Sequence, residues 1–170
     1  EVAGEDILPV GDSPIPAVFT YFGQFLDHDI TLEEKSATIE QLSNPNLVPL
    51  PSIDGLTNTR SATLDLDSVY GGLIDPNNPN KMAVGPVSPL NRPQPPTNPV
   101  PGKSVFNDLP RQPPSADPKE DRAAIIGDPR NDENTIVAQL HTAFLKAHNS
   151  LVDDGMSFEA AKMALTVRYQ

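Results

Sequence analysis

Between Gln24 and Asp29 the chain reads Gln-Phe-Leu-Asp-His-Asp, a histidine flanked by two carboxylates on an otherwise apolar stretch. An imidazole can take up and return a proton near neutral pH, and carboxylates and amides beside it can hold polar ligands. In a helix Gln24, Asp27 and His28 fall at i, i+3 and i+4 and share one face, whereas Asp29 is turned about 100° away. One helix would thus offer three polar groups to one site and a second carboxylate to another. The plain alternative is a surface patch with a capping aspartate. The flanking aromatics weigh against it, because a buried helix does not keep three polar groups on one face without partners.

A second polar cluster, Gly127-Asp128-Pro129-Arg130-Asn131-Asp132-Glu133, opens another helical stretch about a hundred residues later. Arg130 and Glu133 stand at i and i+3, which by itself reads as a helix-surface ion pair worth about a few tenths of a kcal/mol. A third cluster, Ser61 to Asp67, carries oxygens on every second residue: Ser61, Thr63, Asp65 and Asp67. In extended backbone these point the same way, and hard oxygen donors suit Ca²⁺. The run is not an EF-hand, since it lacks the central glycine and closing glutamate. A half-exposed strand with its polar side outward accounts for it equally well.

These clusters need elements to hold them. A helix is predicted to start near Ser13 to Pro16, with Ser13 as cap, and Val18, Phe19, Phe22, Phe25, Leu26 and Ile30 give it a buried face. Residues 1–13 read as an extended arm and 31–60 as loop. Ser61 to Tyr70 reads as an alternating run that turns at Gly71-Gly72. Eleven of the twenty prolines fall between Pro86 and Pro118, so 85–118 is expected to be an extended surface excursion rather than a linker between domains. The clearest helix is predicted from Pro129 to Leu151, with Asp128 as its cap and a core stripe through Ile136, Val137, Leu140, His141, Phe144, Leu145, His148 and Leu151. Asp153-Asp154-Gly155 should end it, and Ser157 should cap a last helix, Phe158 to Tyr169.

Composition narrows the class. The chain has 170 residues, 12 basic and 23 acidic, for a net charge of −11. Such a surface disfavours nucleic acid and anionic membrane as partners. Cysteine is absent, so disulfides, thiolate metal sites and thioether-linked haem are excluded. No stretch approaches the 18 or so apolar residues of a membrane span. Glu1 follows no initiator methionine and Arg168-Tyr169-Gln170 stops within a helical pattern, so the chain reads as a piece of something longer.

Taken in order, the strings Phe22-Gly23-Gln24-Phe25-Leu26-Asp27-His28-Asp29, Asp65-Leu66-Asp67-Ser68-Val69-Tyr70-Gly71 and Gly127 to Glu133, continuing through His141-Thr142-Ala143-Phe144-Leu145 to His148-Asn149, resemble the animal-type haem peroxidases of the peroxidase–cyclooxygenase superfamily. The absence of cysteine is more like a bacterial-type member. The resemblance implies a mainly α fold, a helical haem peroxidase domain with long irregular loops, of which residues 1–170 would be the distal-side portion. It implies that His28 is the distal base and Arg130 the charge stabiliser, with Gln24 lining the cavity. Asp27 and Glu133 match the carboxylates that form ester bonds to haem b. Asn134 leaves no sulfonium link. Asp29, Ser61, Thr63, Asp65 and Asp67 would surround a calcium ion, pinning Asp29 and so the adjacent His28.

The same resemblance implies hydrogen peroxide as oxidant, a halide, thiocyanate or small organic molecule as electron donor, and a secreted, cell-surface or periplasmic setting. Asp27 and Glu133 favour a peroxidase over a cyclooxygenase-like dioxygenase. His141 and His148, seven residues apart on an apolar helix face, read as satisfied core histidines rather than axial ligands. No proximal histidine can then be assigned, so a second chain or C-terminal segment is expected to carry it. A different class stays open: a non-catalytic, calcium-stabilised interaction module on a peroxidase-like scaffold.

Overall fold

The structure, a computed structural model, describes residues 14–32, 58–87 and 106–170. The expected arm over 1–13, the cap at Ser13, the loop across 33–57 and the proline-rich positions 88–105 lie outside the described residues.

Helix α1 spans Val18–Ile30 and begins later than the Ser13–Pro16 start predicted, with Ala17 at its N-cap and no capping side chain. Its first backbone bonds run from Phe19 and Thr20 to the carbonyls of Pro16 and Ala17. Its buried face also differs from the expected apolar stripe. Phe25, His28 and Asp29 are buried, whereas Val18 and Phe19 are 60% and 59% exposed. The fully buried residues of α1 all lie in its C-terminal half, and from the first half Tyr21 packs half-buried against the core. Phe19 and Phe22 instead line an open apolar cleft of about 410 Å³ with Ile136 and Leu140.

The run from Ser61 to Tyr70 is not the extended strand its alternation predicts. Ala62 and Leu66 adopt left-handed backbone, φ 55° and 61°, so the chain bends through 62–65 and delivers a short helix, α2, Asp67–Tyr70. Further on, β1 (Gly85–Pro86) pairs antiparallel with β2 (Phe106–Asp108), Gly85 opposite Asp108 and Pro86 opposite Phe106. The chain on either side of 88–105 therefore meets in one ladder.

The single helix predicted from Pro129 to Leu151 is two elements. A 3-10 helix, Pro129–Asp132, precedes α3, Thr135–Asp153. Two caps make the break. Asp128 accepts from the Arg130 amide at 3.0 Å, and Asn134, extended at φ −145°, accepts from the Val137 amide at 2.9 Å. A chain that caps a second time has left the first helix. Helix α3 buries Val137, His141, Leu145 and His148 of the predicted stripe, together with Ala138 and Thr142, which the stripe omitted. Leu140, Phe144 and Leu151 are half-buried and Ile136 is exposed, so the core face is rotated from the apolar positions toward Ala138 and Thr142. Gly155, at φ 97°, turns the chain into α4, Phe158–Tyr169, where Ser157 accepts from the Ala160 amide at 3.3 Å as the sequence predicts.

Helix α3 is central and touches α1, α2, α4, the 3-10 helix and β2. Phe25 stacks on Phe144, ring centroids 5.0 Å apart, and Tyr169 stands edge-on to both. Leu66, Val69, Met82, Leu109, Val137, Ala138, Leu145 and Leu165 complete the buried cluster. The fold is mainly α among the described residues, and none of their helices is long and apolar enough to cross a membrane. One crossing fixes the second polar cluster. A Cβ on Gly127 would stand 2.6 Å from the Ser68 carbonyl oxygen and 2.8 Å from the Gly71 Cα. Lacking that atom, Gly127 presses the 127–133 segment onto α2.

Candidate functional site: a histidine face and an acidic cluster

Helix α1 and the 3-10 helix bring together residues about a hundred positions apart. His28 is 4% exposed, and its Nδ1 lies 2.8 Å from Asn131 Oδ1. Gln24 reaches the same element: its Nε2 donates to Glu133 Oε2 at 3.1 Å, and its Oε1 accepts from Asn134 Nδ2 at 3.1 Å. Asp27 and Glu133 are both exposed, and both carboxylates act on Arg130. Gln24, Asp27, His28, Arg130 and Glu133 thus share one face. The bland ion-pair reading of Arg130 and Glu133 does not describe their bonds, because Arg130 hydrogen-bonds Asp128 and Glu133 accepts from Gln24.

Arg130 is held firmly. Its Nε and Nη2 donate to the two Asp128 oxygens at 3.0 and 2.7 Å, and Nη2 also donates to the carbonyls of His28, at 3.3 Å, and Thr31. The Asp128 bond keeps the guanidinium pKa above its ordinary value against the opposing effect of burial. Asp128 is fully buried and lies under a second arginine. Arg60 Nη2 donates to Asp128 Oδ2 at 2.7 Å. Burial alone would raise the Asp128 pKa, but the Arg130 and Arg60 bonds overcome it and hold it below the usual range. The predicted cap is therefore also the hub of a buried ion cluster, and sequence reasoning missed Arg60. Its place directly before Ser61, beside the acidic run, was the available signal.

Asp29, the next residue along α1 and turned about 100° from His28, is fully buried. It accepts from the Leu66 amide at 3.0 Å and from Ser68 Oγ at 3.2 Å. One oxygen from each of Asp29, Asp65 and Asp67 lies within 4.8 Å of the others. Ser61 Oγ and Thr63 Oγ1 donate to Asp65 Oδ2 at 2.8 and 3.1 Å. The four residues named from alternation do converge with Asp29, as the resemblance implies, but through bends rather than along a strand. Arg60 Nη1 is 3.3 Å from Asp67 Oδ1, an ion pair whose geometry makes no hydrogen bond, and Asp67 Oδ1 is a buried atom without such a partner. Burial raises the Asp67 pKa; Arg60 opposes it, and Asp65 and Asp29 reinforce it. Asp29, Asp65, Asp67 and Asp128 outnumber Arg60 and Arg130 by two charges. An all-oxygen donor set, with one buried carboxylate oxygen that makes no hydrogen bond and with surplus negative charge, fits a divalent, oxygen-preferring cation such as Ca²⁺. Tyr169 adds a buried hydroxyl beside Asp29, its pKa raised by burial and by the same three carboxylates, Asp29 foremost.

The histidine face suits haem in its donor chemistry: an imidazole with one nitrogen engaged, a fixed guanidinium and two exposed carboxylates. His148 is a satisfied core histidine as expected, with Nδ1 accepting from the Tyr70 hydroxyl and Nε2 donating to the Asn80 carbonyl, each at 3.0 Å. His141 is only half satisfied. Its Nδ1 lies 3.0 Å from Asn131 Nδ2, but its buried Nε2 has no partner. Burial lowers both imidazole pKa values, that of His141 to about 4. Sequence reasoning also missed Arg111, which grips Asp132 through two bonds of 2.7 and 2.9 Å and Asp108 through two of 2.8 and 3.1 Å, tying β2 to the 3-10 helix. Comparison with protein families, with curated proteins and with solved structures finds no match for this chain.

Proposed function

We propose that this chain supplies the distal face of a haem peroxidase, with a calcium site behind it. The carrying observation is the meeting of α1 with the 3-10 helix: His28 bonded to Asn131, Gln24 to Glu133, and Arg130 to the His28 carbonyl. Asp27 and Glu133 would hold haem b through ester bonds to its methyl groups. Haem, when bound, supplies the iron at which hydrogen peroxide is reduced and from which a halide, thiocyanate or small organic donor is oxidised. His28 takes a proton from the incoming peroxide at Nε2 and returns it to the departing oxygen. Arg130, immobilised by Asp128, offsets the negative charge that develops as the O–O bond lengthens. Gln24 holds water or a halide in the cavity. Asp29, Asp65 and Asp67, with Ser61 and Thr63, hold Ca²⁺, which stiffens the turn of α1 that carries His28. His141 and His148 are committed to the core, so we assign the axial ligand to a further segment or a second chain.

The test is the native preparation. A Soret band that shifts on adding peroxide is expected, together with a haem-sized covalent adduct on this chain that Asp27→Asn with Glu133→Gln removes. His28→Ala should keep the haem and lose the fast peroxide reaction. Retained fast reaction in that variant defeats the assignment of the base, and a preparation with no haem defeats the reading as a whole. Exhaustive chelation should lower the melting temperature, and calcium should restore it; an unchanged melt removes the calcium site.

A further inference from the structure

The haem-face reading gives no role to Asn131, which stands between two imidazoles. Its side chain is fully buried, with Oδ1 2.8 Å from His28 Nδ1 and Nδ2 3.0 Å from His141 Nδ1. A side-chain amide has one accepting end and one donating end. The imidazole at the accepting end must carry its proton on the nitrogen that faces the amide; the imidazole at the donating end must not. A neutral imidazole has a single N–H. The two rings are therefore forced into opposite tautomers, His28 as Nδ1–H and His141 as Nε2–H. Water cannot replace the amide, since His28 is 4% exposed and His141 fully buried. His141 is itself braced on the core face of α3, with its ring nearly perpendicular to that of Phe25 and the centroids 6.4 Å apart.

We propose that Asn131 is the positioning residue of His28: braced by His141, its amide holds the His28 ring as the Nδ1–H tautomer and leaves the lone pair on Nε2. A base that accepts a proton at Nε2 requires that tautomer. This catalytic consequence rests on the peroxidase reading; the tautomer itself does not.

The chain has only three histidines, so one spectrum covers them all. The third is an internal reference, because His148 Nε2 faces the Asn80 carbonyl and must carry its proton there. Long-range proton–nitrogen correlation on the full chain, labelled with ¹⁵N-histidine and held in mildly alkaline buffer, reads each tautomer; single His→Gln variants assign the signals. The expected pattern is Nδ1–H for His28 and Nε2–H for both His141 and His148. Asn131→Asp places an acceptor at both ends, so His141 should switch to Nδ1–H while His28 keeps its form. Asn131→Ala should turn the His28 signal into a mixture. In the unsubstituted chain, a His28 that is Nε2–H or mixed overturns the proposal. So does a His141 that Asn131→Asp leaves unchanged. If Asn131→Ala does not fold, the unsubstituted chain and Asn131→Asp still decide. No haem is needed for any of these readings, so failure of the peroxidase reading leaves the result standing, and failure of the tautomer leaves the haem test untouched.

Discussion

Acidification should expose His141 as a built-in source of instability. Its imidazole is fully buried, and burial holds its pKa down at about 4, against 6.5 in an ordinary setting, with Asp128 and Asp132 pulling weakly the other way. The unfolded chain takes up a proton at the ordinary value; the folded chain resists until the lower one. Between the two, the unfolded state binds one proton more, so stability rises with pH through this window. The contribution is complete above about 6.5 and is lost as the pH falls to about 4. One proton corresponds to about 1.4 kcal/mol per pH unit, and the window therefore to about 3 kcal/mol. His148, also lowered by burial, adds a change of the same sign. Urea unfolding at stepped pH measures this, followed by far-UV circular dichroism because the chain has no tryptophan. His141→Gln keeps a side chain of similar reach that does not titrate. The free-energy difference between the two proteins should change by about 3 kcal/mol across the window. If their stability curves run parallel, His141 is not a buried neutral imidazole, and the argument built on its environment fails.

Other perturbations have defined signs. Gly127→Ala forces a Cβ within 2.6 Å of the Ser68 carbonyl oxygen and should cost about 1–3 kcal/mol in thermal melts. Gly23→Ala, with nothing within 4 Å of the added Cβ and a helical backbone, should instead stabilise by about 0.5–1 kcal/mol; equal effects at the two positions would discredit the crossing. Arg60→Met leaves Asp128 buried with only one of its two arginines, and should cost on the order of 3 kcal/mol in urea unfolding, whereas a loss under about 0.5 kcal/mol would mean that Arg130 suffices. Arg111→Met should release β2 from the 3-10 helix, seen as faster amide exchange at Asp108 and Leu109 while exchange in α4 stays unchanged.

Some of this was legible in the sequence for a clear reason. Helix α4 and its Ser157 cap follow from local rules, and so do Val137, His141, Leu145 and His148 on the core face of α3, because 3–4 spacing and capping side chains act within one turn. The bends at 62–65 were hidden, since left-handed backbone at Ala62 and Leu66 carries no glycine to announce it. The break before α3 was hidden because Asn134 looked like an ordinary helical position after a strong first cap. In α1 the apolar count misled: Phe25 is buried, but the neighbours that share its face are His28 and Asp29, made tolerable by Asn131, Leu66 and Ser68 from distant segments. Partners of that kind cannot be read from spacing. The same holds for Asn131 and Arg60. Each sits beside a residue that does attract attention, yet each is defined by a bond across the fold.

Asp128 Oδ2 receives both guanidiniums at 2.7 Å, and this shared terminus has a consequence for how ligands would be felt. Arg60 faces Asp67 with its other nitrogen, and Arg130 holds the carbonyl of His28. A cation drawn to Asp67 competes with Arg60 there, and an anion settling beside Arg130 competes with Asp128. Each event alters the load on one oxygen. Binding free energies linked in this way are reciprocal, so the factor by which the cation changes an anion's affinity is the factor by which the anion changes the cation's. A calcium titration repeated with and without a small anion would measure that factor from either end, although the two ligands would never touch.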